Sequence, residues 1–433
     1  MNNPEISIIG AGLAGSEAAW QLAKRGWRVR LYEMRPKRYQ PAHHTEDFAE
    51  LVCSNSLRAD RLENAVGLLK EEMRRLDSLI LRCADETRVP AGGALAVDRV
   101  GFSHRITEVL SGLENVQIIR EELTDIPDGP CIVATGPLTD GALYDRIQSL
   151  SGKSLHFYDA AAPVVFEDSL NFDKIFRASR YGRGEDYLNC PMDRETYFLF
   201  LRELLQAERA ELKSFETLRV FEGCMPVEIM ASRGDLTLAY GPMKPVGLET
   251  EGKRPFAVVQ LRQDDKDGRL YNMVGFQTNL KFAEQKRVFG LIPGLENARF
   301  ARYGVMHRNT YLPSPGFLSW DYSVIKNPLL YFAGQITGVE GYVESASSGL
   351  MAALSLHEKL SGHSAVDFTD TTAIGALGHY VAEYSGNDFQ PMNITFGIMK
   401  PSDIRTGNKQ KKCAHIAERS LALLSEIIAE KGF

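Results

Sequence analysis

Two of the six cysteines lie in sequence contexts suited to thiol chemistry. Cys53 lies among small hydrogen-bonding residues, and Cys224 lies between turn-forming residues. The thiolate is the nucleophilic form of cysteine, and a polar loop stabilises this charged form better than an apolar core does. These two cysteines are therefore the candidates for a reactive thiol. The remaining cysteines are predicted to be small buried hydrophobic residues: Cys83, Cys131, Cys190 and Cys413. No two cysteines have the short spacing of a zinc site, so no metal is predicted.

The N-terminal segment carries a dinucleotide-binding pattern. An apolar strand at 5–10 leads into a glycine-rich turn, which is followed by a helix at 16–25 and a strand at 27–34. The turn would bring its backbone close to a pyrophosphate at the helix N-terminus. Glu33 has the spacing expected of a residue that bonds the ribose hydroxyls. The predicted binding turn consists of Gly10, Ala11, Gly12, Leu13, Ala14 and Gly15. His43 and His44 are expected to border this site.

Two later segments favour FAD as the dinucleotide. One is a buried strand that ends in Ala134, Thr135 and Gly136, and the other is a late strand that ends in Gly334 and Gln335. A second glycine turn and a helix at about 344–360 follow. This pattern resembles the two-part flavin site of glutathione-reductase-like flavoproteins, although those usually have Gly-Asp where this chain has Gly-Gln. The second turn adds Gly338, Gly341 and Tyr342 to the predicted flavin site.

These motifs predict an α/β protein with a Rossmann-like FAD-binding domain of glutathione-reductase type. The domain is expected to be discontinuous, with residues 1–150 and 300–433 enclosing an α+β insertion at 151–299. The insertion is predicted to hold a mixed sheet, with strands at 162–166, 257–261 and 273–276 and a helix at 194–210. A last helix is predicted at 414–429, with an apolar stripe suited to packing.

Composition narrows the class of protein. The chain has 433 residues, 44% hydrophobic and 24% charged, with a net charge of −6. This composition is typical of a globular protein. The negative net charge does not exclude nucleic acid as a partner, because a local basic patch could still bind it. We find no signal-peptide pattern and no apolar run long enough to span a membrane. The expectation is a cytoplasmic protein with no membrane partner.

Several motifs resemble the bacterial folate- and FAD-dependent tRNA (uracil-5-)-methyltransferases, the TrmFO family. The matching segments span nearly the whole chain: 41–45, 48–57, 89–99, 221–226, 302–310 and 338–342. The resemblance implies methylation of C5 of a T-loop uridine in tRNA. It also implies 5,10-methylenetetrahydrofolate as carbon donor, with FAD reduced by NAD(P)H.

The resemblance also implies roles for particular residues. Cys224 is the candidate nucleophile on uracil C6, and Cys53 is its candidate partner; the two roles could be exchanged. His307 or Arg308 could stack on the pterin, and Arg308 could pair with the folate carboxylates or an RNA phosphate; the alternative is a hydrogen-bonded structural cluster. Tyr342 could stack near the flavin or be an ordinary packed residue. Basic residues within 24–38 and an exposed basic loop at 400–412 are compatible with RNA binding.

Three alternatives remain open at this point. The same chemistry on ribosomal RNA would share these motifs. The flavin enzyme of the MnmG type, which modifies wobble uridines, has similar flavin motifs but is much longer. A flavin-bearing RNA-binding module without turnover is a further alternative, which the loop cysteines disfavour. The sequence does not distinguish NADH from NADPH, and it does not define the oligomeric state.

Overall fold

The computed structural model describes residues 4–152, 154–210, 225–249 and 252–433. The strands are β1 (Ile6–Ile9), β2 (Val29–Tyr32), β3 (Ser56–Ala59), β4 (Arg88–Val89), β5 (Ala94–Val97), β6 (Val116–Ile119), β7 (Cys131–Val133), β8 (Leu155–Ala160), β9 (Val164–Phe166), β10 (Phe176–Arg177), β11 (Tyr187–Met192), β12 (Ala257–Gln263), β13 (Leu270–Met273), β14 (Phe300–Arg302), β15 (Met306–Tyr311), β16 (Ser323–Val324) and β17 (Asn327–Phe332). The helices are α1 (Leu13–Ala23), α2 (Ala65–Arg75), α3 (Leu79–Glu86), α4 (Arg99–Ser111), α5 (Gly141–Ser151), α6 (Arg194–Gln206), α7 (Val227–Ala231), α8 (Thr237–Tyr240), α9 (Phe282–Phe289), α10 (Tyr342–Leu360), α11 (Ala373–Glu383) and α12 (Lys409–Lys431).

The first sheet has the order β16-β17-β7-β1-β2-β6, and its strands from β17 to β6 are parallel. All four residues of β1 are buried, as expected for a parallel strand covered on both faces. Helices α1 and α10 pack so closely that a Cβ added to Gly349 would lie 2.1 Å from the carbonyl oxygen of Ala14. The predicted Rossmann-like α/β fold is confirmed, and its sheet draws strands from both ends of the chain.

The second sheet has the order β10-β11-β12-β13-β9-β14. Its pairings are all antiparallel, although the sequence predicted a mixed sheet. Its core is separate from the core of the first sheet and includes aromatic residues of α6 and α9, such as Phe200 and Phe289. Strand β14 belongs to this sheet although it lies beyond the predicted boundary at 299. The division into three segments therefore stays a prediction.

Two local predictions differ from the structure. A strand was predicted at 273–276, but β13 ends at Met273 and the chain turns at Gly275, whose φ is +76°. The predicted basic loop at 400–412 is partly helical, because α12 begins at Lys409. The side chain of Asn408 caps this helix by accepting hydrogen bonds from the backbone N–H groups of Gln410 and Lys411.

Two smaller sheets complete the fold of the described residues. Strands β8 and β15 form an antiparallel pair in which His307 is opposite Asp159. Strands β3, β5 and β4 form a three-stranded sheet that follows the loop carrying Cys53. Within the described ranges, no helix is both long and apolar enough to cross a membrane.

Candidate flavin and thiol site

The turn between β1 and α1 leaves an open, hydrogen-bonding space in front of the helix. Gly10 has a φ of +98°, and a Cβ added there would lie 2.5 Å from the carbonyl oxygen of Ala134. Gly12 precedes the first residue of α1, and no side chain caps the helix. A Cβ added to Gly12 would meet no atom within 4 Å. The free N–H groups of α1 and the space before them fit a pyrophosphate.

Glu33 follows β2 and is held by a basic partner that the sequence analysis did not single out. Its carboxylate accepts hydrogen bonds from the backbone N–H of Ala11 at 3.1 Å and from the Arg35 guanidinium at 2.9 Å and 3.1 Å. Burial opposes ionisation of Glu33, but the hydrogen bonds and charge of Arg35 outweigh it, so its pKa lies below the usual value. Arg35 also bonds Glu50, which holds the backbone of His44. The carboxylate is therefore fixed and ionised at the pocket wall.

A cleft that is open to solvent extends from this turn to the late glycine turn. It brings together most of the predicted flavin residues: Gly10, Gly12, Leu13, Ala14, Glu33, Ala134, Thr135, Gly136, Gly334, Gln335 and Tyr342. Four predicted flavin residues do not line the cleft themselves: Ala11, Gly15, Gly338 and Gly341. A Cβ added to Gly15, Gly338 or Gly341 would clash with Gly10, Phe389 or Glu344, respectively. Gly338 and Gly341 thus shape the late turn. Gly15 lies in the first turn of α1, which begins at Leu13 and not at residue 16 as the sequence predicted, and its missing side chain lets the helix pack against the preceding turn.

His43 also lines this cleft, and its chemistry suits a bound ligand. Its Nδ1 atom is buried and has no hydrogen-bond partner among the described residues. Burial, reinforced by the charge of Arg35, lowers the pKa of His43 to about 4, so the ring is neutral at neutral pH. The open helix N-terminus, the fixed carboxylate and this unpaired ring nitrogen together fit FAD.

Cys53 lies in a loop at the far end of the cleft, next to Tyr342. Its backbone N–H donates to the Tyr342 hydroxyl at 2.7 Å, and its thiol lies 3.6 Å from the carbonyl oxygen of Ala160. Burial raises the pKa of the Cys53 thiol to about 12; the charge of Asp159 acts in the same direction, and that of Arg99 opposes it. The resting thiol is protonated. Burial also raises the pKa of the Tyr342 phenol.

Cys224 lies outside the described residues. The residue that follows it, Met225, is buried, and the backbone N–H of Val227 donates to the carbonyl oxygen of Gln277 at 2.7 Å. The next residue, Thr278, donates to the carbonyl oxygen of Ala161 at 3.3 Å. The described chain after Cys224 is therefore bonded to the segment at 277–278, and that segment is bonded to the residue that follows β8.

His307 and Arg308 lie on β15, and their side chains point to opposite faces. His307 is opposite Asp159, the carboxylate that raises the pKa of Cys53. Burial, with the charge of His44 acting in the same direction, lowers the pKa of His307. Arg308 is exposed and pairs in register with Tyr158. The two side chains therefore do not face one site together.

Glu340, in the turn between Gly338 and Gly341, was missed by the sequence analysis. It accepts a hydrogen bond from the amide of Gln335 and is 5% exposed. Burial, together with the charge of Asp159, raises its pKa well above the usual value. The sequence signal that could have identified Glu340 was an acidic residue inside the glycine turn of the predicted flavin site.

The four cysteines predicted to be buried are buried. No group of three metal-ligating side chains occurs in the described ranges.

Comparisons with known proteins agree on the family. Residues 5–364 match the family model of glucose inhibited division protein A. A methylenetetrahydrofolate–tRNA-(uracil-5-)-methyltransferase TrmFO of Acetivibrio thermocellus is 58% identical over 98% of this chain and 99% of its own length. The TrmFO of Bacillus licheniformis is 57% identical, with the same coverage. The structure of Aquifex aeolicus GidA matches with a TM-score of 0.68 at 15% identity, covering 98% of this chain and 76% of that one, which indicates a shared fold. The resemblance read from the motifs is confirmed, and the chain belongs to the TrmFO family of methylenetetrahydrofolate–tRNA-(uracil-5-)-methyltransferases.

Proposed function

We propose that this chain methylates C5 of a T-loop uridine in tRNA. The carbon would come from 5,10-methylenetetrahydrofolate and the electrons from NAD(P)H by way of FAD. The observation that carries the proposal, beside family membership, is the position of Tyr342. Its side chain lines the dinucleotide cleft and accepts the backbone hydrogen bond of Cys53. This contact supports a site in which a thiol works beside the flavin.

The chain's own residues divide the binding work along the cleft. The open N-terminus of α1 would hold the pyrophosphate of FAD, and the ionised Glu33 would bond the ribose hydroxyls. Bound FAD would supply the electrons that convert the transferred carbon to a methyl group. His307 is the better of the two pterin candidates, because it is half-buried opposite Asp159 whereas Arg308 is exposed.

The two thiols have different proposed roles. Uracil C5 is a weak nucleophile, and addition of a thiolate to C6 would increase its electron density. We assign that addition to Cys224 and the partner role to Cys53. Burial keeps the Cys53 thiol protonated, with a pKa of about 12, and a protonated thiol does not add to uracil. Such a thiol suits a residue that shields the reactive carbon beside the cleft.

The basic residues of α12 support tRNA as the partner. Lys409, Lys411 and Lys412 are exposed in the first turn of the helix and have no ion-pair partner among the described residues. Cations at a helix N-terminus oppose the helix dipole, so a nearby phosphate would stabilise them. In the other predicted basic segment, Lys24 and Arg38 are engaged in ion pairs, whereas Arg28 and Lys37 are exposed and have no ion-pair partner among the described residues. Action on tRNA and folate would place the protein in the cytoplasm.

Methyl transfer from labelled methylenetetrahydrofolate to tRNA tests the assignment of the thiols. Cys224→Ala is expected to abolish transfer while the protein keeps its flavin. Cys53→Ala is expected to consume NADPH without matching methyl transfer. Cys413→Ala, at a buried position on α12, is the matched control and should transfer methyl groups at the normal rate. Full activity in Cys224→Ala would refute its role as nucleophile.

A further inference from the structure

The Cys53 loop has no helix or strand of its own and is held by a buried arginine. Residues 51–55 lie before β3, and Arg99, the first residue of α4, reaches back to them. Its guanidinium donates to the carbonyl oxygens of Leu51 and Cys53, the latter at 3.4 Å. The same group makes two hydrogen bonds of 2.9 Å to the carboxylate of Asp264. Arg99 thus joins the thiol loop to Asp264.

Asp264 belongs to the other half of the molecule. It follows β12, a central strand of the second sheet, whereas Arg99 begins a helix that packs on the first sheet. Both side chains are almost fully buried, at 4% and 3% exposure. Removal of the carboxylate would leave the buried guanidinium charge unpaired, which would strongly destabilise the folded protein. The pair therefore fixes the second sheet against the loop.

A second buried arginine holds the loop from the side of the second sheet. Arg262, on β12, donates to the side-chain oxygen of Asn55 at 3.1 Å and to the hydroxyl of Ser54 at 2.7 Å. Asn55 in turn donates to the carbonyl oxygens of Val97 and Gln263, both at 2.9 Å. The residues on both sides of Cys53 are therefore anchored by polar contacts to β12 of the second sheet, to β5 and to the start of α4.

The anchored loop also forms part of the flavin cleft. Val52 lines the cleft, and Cys53 meets Tyr342 through its backbone N–H. A shift of the loop would therefore move the thiol relative to the cleft wall. Arg99 is also the cation that opposes the high pKa of Cys53.

We propose that Asp264 and Arg262 are positioning residues for Cys53, acting through Arg99 and through Ser54 and Asn55. The second sheet thereby sets the place of the thiol beside the cleft. This inference deepens the proposed function and rests on it for the chemistry of Cys53. The contacts themselves can be tested without methyl transfer.

Alkylation of the flavin-loaded protein by iodoacetamide, followed cysteine by cysteine with mass spectrometry, tests the proposal. Asp264→Asn removes the charge that holds Arg99. It should speed alkylation of Cys53 by at least about fivefold, the factor expected when a loop becomes easier to open by about 1 kcal/mol. Cys131 and Cys190, both fully buried, should stay protected. Asp168→Asn, which removes an exposed pair with Arg299 at the second sheet, is the matched control and should leave Cys53 unchanged.

A second variant separates positioning from stability. Arg99→Lys keeps the charge but cannot contact Leu51, Cys53 and Asp264 together. Arg99→Lys should also speed alkylation of Cys53. It should lower kcat for methyl transfer with little change in KM for RNA. Unchanged Cys53 alkylation in both variants would overturn the proposal. An equal gain at Cys190 would also overturn it, because Asp264 would then only stabilise the fold. Absence of methyl transfer by the wild-type protein, with Cys53 alkylated faster in the variants than in the wild type, would instead overturn the proposed function alone.

Discussion

Gly12, the residue before α1, and Gly15, in the first turn of that helix, should respond differently to the same substitution. A Cβ at Gly15 would lie 1.8 Å from the carbonyl oxygen of Gly10, whereas ordinary contact begins at 3.4 Å. The obstacle is backbone, so the turn itself must move, and we expect a cost near the upper end of overpacking, about 3 kcal/mol. A Cβ at Gly12 meets nothing, and its φ of −73° suits any residue. Gly12→Ala should cost only about 0.5–1 kcal/mol through a weaker helix cap.

Both substitutions should weaken flavin binding, but for different reasons. In Gly12→Ala the new methyl group would occupy the space in front of the free N–H groups of α1. We expect FAD affinity to fall by at least about tenfold, or ~1.4 kcal/mol, in a protein that is otherwise folded. Gly15→Ala should also lose flavin, but because its turn is displaced.

Thermal unfolding of the flavin-free protein, with FAD titration by fluorescence, measures both effects. At about 2–4 °C per kcal/mol, Gly15→Ala should lower the melting temperature by roughly 6–12 °C and Gly12→Ala by roughly 1–4 °C. Wild-type FAD affinity in Gly12→Ala would refute our placement of the pyrophosphate. Equal melting temperatures for Gly15→Ala and the wild type would refute the packing argument.

Two further substitutions test the cleft. Tyr342→Phe removes the acceptor for the Cys53 backbone N–H. We expect kcat for methyl transfer to fall about tenfold, equivalent to ~1.4 kcal/mol, in a protein that retains its flavin. An unchanged kcat would show that the hydroxyl is dispensable. His43 has a folded-state pKa of about 4, which is below its unfolded value, so unfolding at acid pH takes up a proton. The free energy of unfolding should therefore decline as pH falls from about 6.5 towards 4. Above that range His43 makes no contribution to the pH dependence of stability. His43→Gln should flatten this decline in flavin-free protein followed by thermal unfolding, and an equally steep decline would contradict the low pKa.

The local pattern of the chain predicted the first sheet well. Periodicity and glycine spacing mark β1, the turn and α1 within a short segment, because each part depends on its neighbours in sequence. The predicted helix at 344–360 is observed from Tyr342 to Leu360. Its early start reflects the glycine turn, in which Gly341 has a φ of +109° and serves as the residue before the helix.

Contacts between distant residues could not be read from the sequence. Arg99 and Asp264 pair across 165 positions. Arg99 ends the segment 89–99 that carries the family resemblance, but Asp264 lies in no segment that the sequence analysis singled out, so the pair could not be predicted. The antiparallel order of the second sheet likewise depends on pairing between distant strands, which the strand pattern alone does not encode. Lys409 was assigned to a loop because the basic residues at 400–412 lie near glycine and asparagine, whereas Asn408 caps a helix that starts at Lys409.

The most direct test of the central claim is methyl incorporation from labelled methylenetetrahydrofolate, with NADPH and FAD, into two transcripts. One is a tRNA, paired with a control whose T-loop uridine is replaced by cytidine, and the other is a ribosomal RNA fragment. We predict label in the tRNA that is lost in the cytidine control, and none in the ribosomal fragment. Label only in the ribosomal fragment, or equal label in the tRNA and its control, would contradict the proposed substrate. No label in any transcript would contradict the proposed reaction.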